Sequence, residues 1–128
     1  MSDVDKNKRL VTEFYETAFV QQRQVEAADR YFGDRYIQHN PFVSDGADGF
    51  KRFFTETMPS SPDVKYKILR VIAGDDLVAV HATINRGEGP GTVLVDMFRV
   101  ENDKIVEHWD VYMPIPDPAA IPHNNGIF

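Results

Sequence analysis

The chain has 128 residues, 42% of them hydrophobic and 12% aromatic, which is enough apolar material for one buried core and excludes a disordered chain. It contains no cysteine, so disulfides, thiolate nucleophiles and cysteine-ligated metals are ruled out. A net charge of −6 with no basic run beyond Lys6-Asn7-Lys8-Arg9 argues against nucleic acid as a partner. A polar N-terminus and the lack of any membrane-length apolar run lead us to expect a soluble, cytoplasmic protein with no membrane partner.

Leu10, Val11, Phe14, Tyr15, Ala18 and Phe19 recur at helical spacing and predict a helix from Val4 to about Val20, with Ser2 and Asp3 as cap candidates. A second helix is expected over Val25–Phe32, ended by Gly33. Tyr36 to His39 reads as a short extended piece, stopped by Asn40-Pro41. A third helix, Gly49–Thr57, has Phe50, Phe53 and Phe54 on one face and ends at Pro59 and Pro62. The period then changes to alternation, and Val64–Ile72 and Leu77–Asn85 read as strands around a Gly74-Asp75-Asp76 turn. A loop containing Gly87, Gly89, Pro90 and Gly91 leads to a final hairpin, and residues 114–128 form a proline-rich tail.

Helices first and four long antiparallel strands after them imply an α+β fold, one domain over residues 1–128. Its helices would pack on one face of a strongly curved, mainly antiparallel sheet, forming a cone with an internal pocket. Tyr15, Phe19, Phe53, Phe54, Phe98 and Trp109 are candidates to line that pocket and hold a small, mostly apolar molecule. The alternative is that these rings simply fill the core.

The final hairpin carries the most chemistry. With Asn102 and Asp103 as a two-residue turn, Glu101 faces Lys104, Val100 faces Ile105, Phe98 faces Glu107 and Asp96 faces Trp109. Alternation then puts Asp96, Phe98, Val100, Ile105, Glu107, Trp109 and Val111 on the core side. Val95, Met97, Arg99, Val106, His108, Asp110 and Tyr112 fall on the outer side, which is only half polar and predicts a homodimer surface. Asp96 becomes an acid pointing into an apolar interior, where it must be hydrogen-bonded, paired or used in proton transfer. His39, at the expected mouth of the pocket, and His81, in an apolar strand beside that of Asp96, are its candidate catalytic partners, with Asn40 as a further donor. A backbone carbonyl at the bend is the alternative partner for His39. No His-x-His or His-x-x-x-His spacing supports a metal, no serine lies in a nucleophile elbow, and no helix follows Gly87–Gly91 to make a phosphate cradle.

Four segments carry a family resemblance: Tyr36-Ile37-Gln38-His39-Asn40-Pro41, Val78-Ala79-Val80-His81, Val95 to Val100, and Ile105 to Val111. Together with the ending through Asn125-Gly126-Ile127-Phe128, they resemble the SnoaL-like polyketide cyclases of the nuclear-transport-factor-2-like superfamily over nearly the whole chain. The resemblance implies a cone-like α+β fold, a dimer through the outer sheet surface, and no metal or organic cofactor. Ketosteroid isomerases of the superfamily carry a pocket acid in an Asp-x-x-Arg context that Asp96 and Arg99 match. The cyclases place an aspartate acid/base on the last long strand, where Asp110 is the nearest match. Both acids line one pocket only if a β-bulge intervenes, so Asp96 ranks first. Three functions follow as expectations. The first is acid/base proton transfer on a mostly apolar carbonyl compound, by aldol cyclisation or isomerisation. The second is a non-catalytic scaffold that binds a hydrophobic ligand or dimerises. An epoxide hydrolase is the third, disfavoured by an outward Arg99.

Overall fold

A computed structural model describes residues 2–128. Three helices, with β1 between the second and the third, cover a five-stranded mixed sheet that does not close into a barrel. Helix α1 (Asp3–Tyr15) starts where the Ser2 hydroxyl accepts the Asp5 amide at 3.1 Å, and it runs into a π-helical turn, Glu16–Val20. Helix α2 (Gln24–Tyr31) passes directly into β1 (Phe32–Gln38). Helix α3 (Gly46–Arg52) also ends in a π-helical turn, Phe53–Thr57. Strands β2 (Lys65–Gly74), β3 (Leu77–Asn85), β4 (Thr92–Glu101) and β5 (Lys104–Pro114) complete the sheet in the order β1-β5-β4-β3-β2.

Two local expectations are corrected. Gly33 does not cap a helix: α2 stops at Tyr31, Phe32 is extended, and Gly33 lies inside β1. A Cβ there would stand 3.1 Å from the Val106 side chain, so close strand approach, not a left-handed cap, explains the glycine. The sheet also has a fifth strand, because β1 pairs in parallel with β5 through Ile37–Glu107 and Gln38–His108. The four long strands are antiparallel as their alternation implies.

The hairpin turns at Asn102 and Asp103, with φ of 52° and 61°, the left-handed geometry that a two-residue loop requires. Val100–Ile105 and Glu101–Lys104 then pair as expected, but the next pair is Arg99–Glu107. Val106 is an extra residue, a β-bulge, and every β5 side chain beyond it changes face. Ile105 and Val106 are both buried, as two residues opposite one partner allow. His108, Asp110 and Tyr112 therefore point inward, while Glu107, Trp109, Val111 and Met113 point outward.

The core lies between α1, the π turns and the inner sheet face. Phe14 is fully buried and sits edge-on or tilted against Phe19, Tyr31, Phe32, Phe50 and Phe98, with ring centroids 5.3–6.2 Å apart. Deleting its ring would remove about 3–5 kcal/mol of stability. The rings fill this end of the cone and leave the other end open.

Candidate active site

The open end is a cavity of about 800 Å³, walled by Phe19, Phe50, Phe53, Phe54, Tyr66, Leu94 and Phe98 and floored by Asp96, His108 and Asp110. Strand pairing brings the acids together: Asp96 on β4 stands directly opposite Asp110 on β5, both facing inward, with His108 one inward position away.

Asp96 is 5% exposed and has both oxygens engaged. The Tyr15 hydroxyl donates to Oδ2 at 2.7 Å, and His108 Nε2 lies 2.8 Å from Oδ1. Burial, and then the charge of Asp96, raise the Tyr15 phenol well above its ordinary value, so it remains a donor. His108 Nδ1 lies 2.7 Å from Gln38 Oε1. The backbone amides of His39 and Asn40 also donate to that Gln38 atom, at 3.1 and 3.0 Å, so it must be the oxygen. Nδ1 can meet it only as N–H. One further proton then lies between Nε2 and Oδ1, either as imidazolium against carboxylate or as neutral imidazole against carboxylic acid. Both arrangements leave the Asp96–His108 pair without net charge.

Asp110 is held differently. Asn40 Nδ2 donates to its two oxygens at 2.9 and 3.0 Å, and the Asn40 carbonyl accepts the Phe42 amide, which fixes the side chain's orientation. Burial, followed by the negative charge of Asp96, raises the Asp110 carboxyl above its ordinary value, while His108 and the Asn40 hydrogen bond act in the opposite direction. No cation pairs with it within 4.0 Å among the described residues. Asp110 thus carries the charge of the cluster and faces the cavity. Tyr36 lines the same floor, and burial, then Asp96, raise its phenol strongly, so it too stays protonated.

Asp96, His108 and Asp110 bring one ligand atom each within 4.8 Å of one another. The His108 nitrogens and both Asp96 oxygens are each bonded to a separate buried group, whereas Asp110 is held by Asn40 alone and faces the cavity with acceptor capacity left on its oxygens.

A family model described as a SnoaL-like domain matches residues 11–108. The chain belongs to that family. Solved structures agree in fold. A ketosteroid isomerase proposed for Kribbella flavida DSM 17836 superposes with a TM-score of 0.74 at 18% identity, over 98% of this chain and 95% of that one. A SnoaL-like polyketide cyclase proposed for Jannaschia sp. CCS1 reaches 0.72 at 14% identity, over 88% of this chain and 89% of the other. A polyketide cyclase proposed for Acidithiobacillus ferrooxidans reaches 0.69 at 19% identity, over 88% of this chain and 91% of the other. No curated protein matches the chain.

Within this SnoaL-like cone, Asn40, Phe19, Phe53, Phe54, Phe98, Asp96 and Asp110 line the cavity, and Tyr15 stands behind Asp96. Three residues expected at the pocket lie elsewhere, Trp109 because of the bulge. Trp109 is on the outer face, stacked on the His39 ring at 5.0 Å and 1°. His39 itself reaches Glu107 Oε2 at 2.7 Å, not Asp96. His81 pairs with Val95 on the outer face and bonds Arg70, whereas its neighbour Val80 is the residue opposite Asp96. Burial, with the Arg70 guanidinium adding to it, lowers the His81 pKa. Arg99 points outward as predicted and bonds Glu107 Oε1 at 2.8 Å. His108 and Gln38 were missing from the sequence-derived site. Adjacent apolar Ile105 and Val106 in a strand that otherwise alternates were the signal for the bulge that turns His108 inward.

Proposed function

We propose that this SnoaL-like protein is a cofactor-independent enzyme that moves a proton at a carbon acid of a small, mostly apolar carbonyl compound, by aldol cyclisation or isomerisation. One observation carries the reading: two carboxylates and a histidine converge at the floor of a large apolar cavity, and one of the acids, Asp110, is held only by Asn40. A filled cone would have favoured the ligand-binding scaffold instead.

Asp110 takes the proton from the carbon next to the carbonyl, and the C–H electrons move into the carbonyl as an enolate. Tyr36 donates its O–H to the enolate oxygen. In isomerisation Asp110 returns the proton to a different carbon; in cyclisation the enolate carbon attacks a second carbonyl, whose alkoxide takes the proton. Asn40 orients Asp110, and the neutral Asp96–His108 pair holds the site together without adding a second full charge beside it. Asp110 must be ionised to act, and its pKa is raised, so the rate should climb with pH above the usual carboxylate range. Solvent deuterium uptake by a polycyclic β-diketone, followed by mass spectrometry, tests this. Asp110→Asn should slow uptake about 10²–10⁴-fold with the fold intact by circular dichroism. Equal uptake by wild type and variant overturns the reading.

The same proposal includes a homodimer acting in the cytoplasm. No helix is long and apolar enough to cross a membrane. The outward faces of β2, β4 and β5 expose Ile72, Met97, Val111 and Met113 on one side of the sheet. The bulge changes the membership of the expected dimer surface. Val106 is buried against Gly33, and His108 and Tyr112 line the cavity. Trp109, Val111 and Met113 take their places outside. A monomer at all concentrations in sedimentation equilibrium would refute the dimer.

A further inference from the structure

The cavity is electrically lopsided. Its floor holds Asp96 and Asp110, and its walls are mostly rings and aliphatic groups with a few neutral polar side chains such as Thr57 and Thr92. At the mouth, one residue beyond the end of β3, stands Arg86, the only lysine or arginine that lines it among the described residues. Arg86 is exposed, and among the described residues it forms no ion pair, although Glu88 sits on the same rim. Its side-chain hydrogen bond is soft: Nη2 lies 3.2 Å from the sulfur of Met58, another residue that lines the cavity. The loop that carries it is shaped by its own hydrogen bonds, Gly87 amide to the Asn85 side chain at 2.8 Å and the Asn85 amide group to the Gly89 carbonyl at 3.1 Å. Gly91 closes the loop at a φ of 93°, with the Ile84 carbonyl 2.4 Å from where a Cβ would stand, so only glycine fits. The guanidinium is near enough to Tyr66 to oppose the rise that burial and Asp96 impose on that phenol.

We propose that Arg86 is a specificity residue that binds a carboxylate at the far end of an elongated, otherwise apolar carbonyl substrate. This rests on the proton-transfer reading of the floor. The charge on Asp110 repels an anionic group from the floor, and Arg86 attracts it at the rim, so the two opposed charges set the direction in which such a molecule enters. A planar guanidinium takes a carboxylate in two parallel hydrogen bonds, which adds geometry to charge. Val80 lies opposite Asp96, and Arg86 is six residues further along the chain. At ~3.3 Å per residue, less the reach of a side chain folded back along Met58, the carboxylate would sit on the order of 15 Å from the reacting carbonyl.

The test uses 1-pyrenebutyrate and its uncharged amide, titrated by fluorescence against wild type and Arg86→Gln at low salt. Wild type should bind the acid about three- to tenfold more tightly than the amide. In Arg86→Gln that preference should vanish while amide affinity stays the same, and added salt should shrink the preference in wild type alone. Equal binding of acid and amide by wild type, a preference that survives in Arg86→Gln, or no binding of either ligand overturns the assignment. The outcome is independent of the catalytic reading: Asp110→Asn slows deuterium uptake or does not, whatever Arg86 selects.

Discussion

Two histidine–carboxylate pairs stand back to back across β5. His108 meets Asp96 at 2.8 Å on the inner face, and His39 meets Glu107 at 2.7 Å on the outer face, although Glu107 and His108 are neighbours in the chain. The bond lengths barely differ; the surroundings do. The inner pair is buried, its carboxylate also holds Tyr15, and its imidazole is pinned by Gln38. The outer pair shares its carboxylate with Arg99, and the His39 side chain is 42% exposed. Water and counterions reach the His39 side of the outer pair and weaken it, although the Glu107 side chain is 15% exposed, whereas breaking the inner pair strands the Tyr15 hydroxyl and His108 Nε2 in the interior. The contact distance is therefore a poor guide to energy or role, and burial is the quantity that separates the two pairs.

Deleting Val106 attacks the device that keeps them apart. Without the extra residue, β5 returns to simple alternation, and Glu107 and Trp109 would face the core while His108 and Asp110 faced out. The expected result is loss of ligand binding together with loss of a cooperative thermal transition. A folded deletion variant that retains pyrenebutyrate affinity would refute the assigned role of the bulge.

Asp96→Ala removes the acceptor for both Tyr15 and His108 and should lower stability by about 3–5 kcal/mol, read from the urea midpoint. Glu107→Gln is the outer counterpart and should change stability by no more than about 1 kcal/mol. The ratio of those two losses is the sharpest measure of the comparison; comparable losses would mean that burial does not separate the pairs.

A pH titration adds a smaller effect. Hydrogen bonds from His39 and then from Arg99 lower the Glu107 pKa below its ordinary value. A depressed folded pKa favours the native state above the unfolded pKa and is lost as pH falls through the folded value. Wild type should therefore lose a small increment relative to Glu107→Gln below about pH 4, seen as converging thermal midpoints. Divergence there would break the sign.

Much of this was legible in the sequence, for reasons local to the chain. Alternating residues from β2 to β4, a helical stripe through Phe14 and Tyr15, and a turn at Asn102-Asp103 each depend on backbone preference and on which side chains avoid water. The α+β cone and the inward Asp96 follow from those signals. Even the loop at Gly91 is marked by its glycines. What the sequence alone did not determine was which face of β5 carries which side chain beyond Ile105. A strand has period two, so one inserted residue reverses every assignment after it, and that insertion depends on β5 pairing with β4 on one side and β1 on the other. Simple alternation assigned Trp109 to the pocket, the bend before Asn40-Pro41 assigned His39, and an apolar strand assigned His81; tertiary pairing placed all three outside. His108 and Gln38 came inside by the same pairing. Periodicity along one strand determines its two faces; only the neighbouring strands decide which of them meets the cavity.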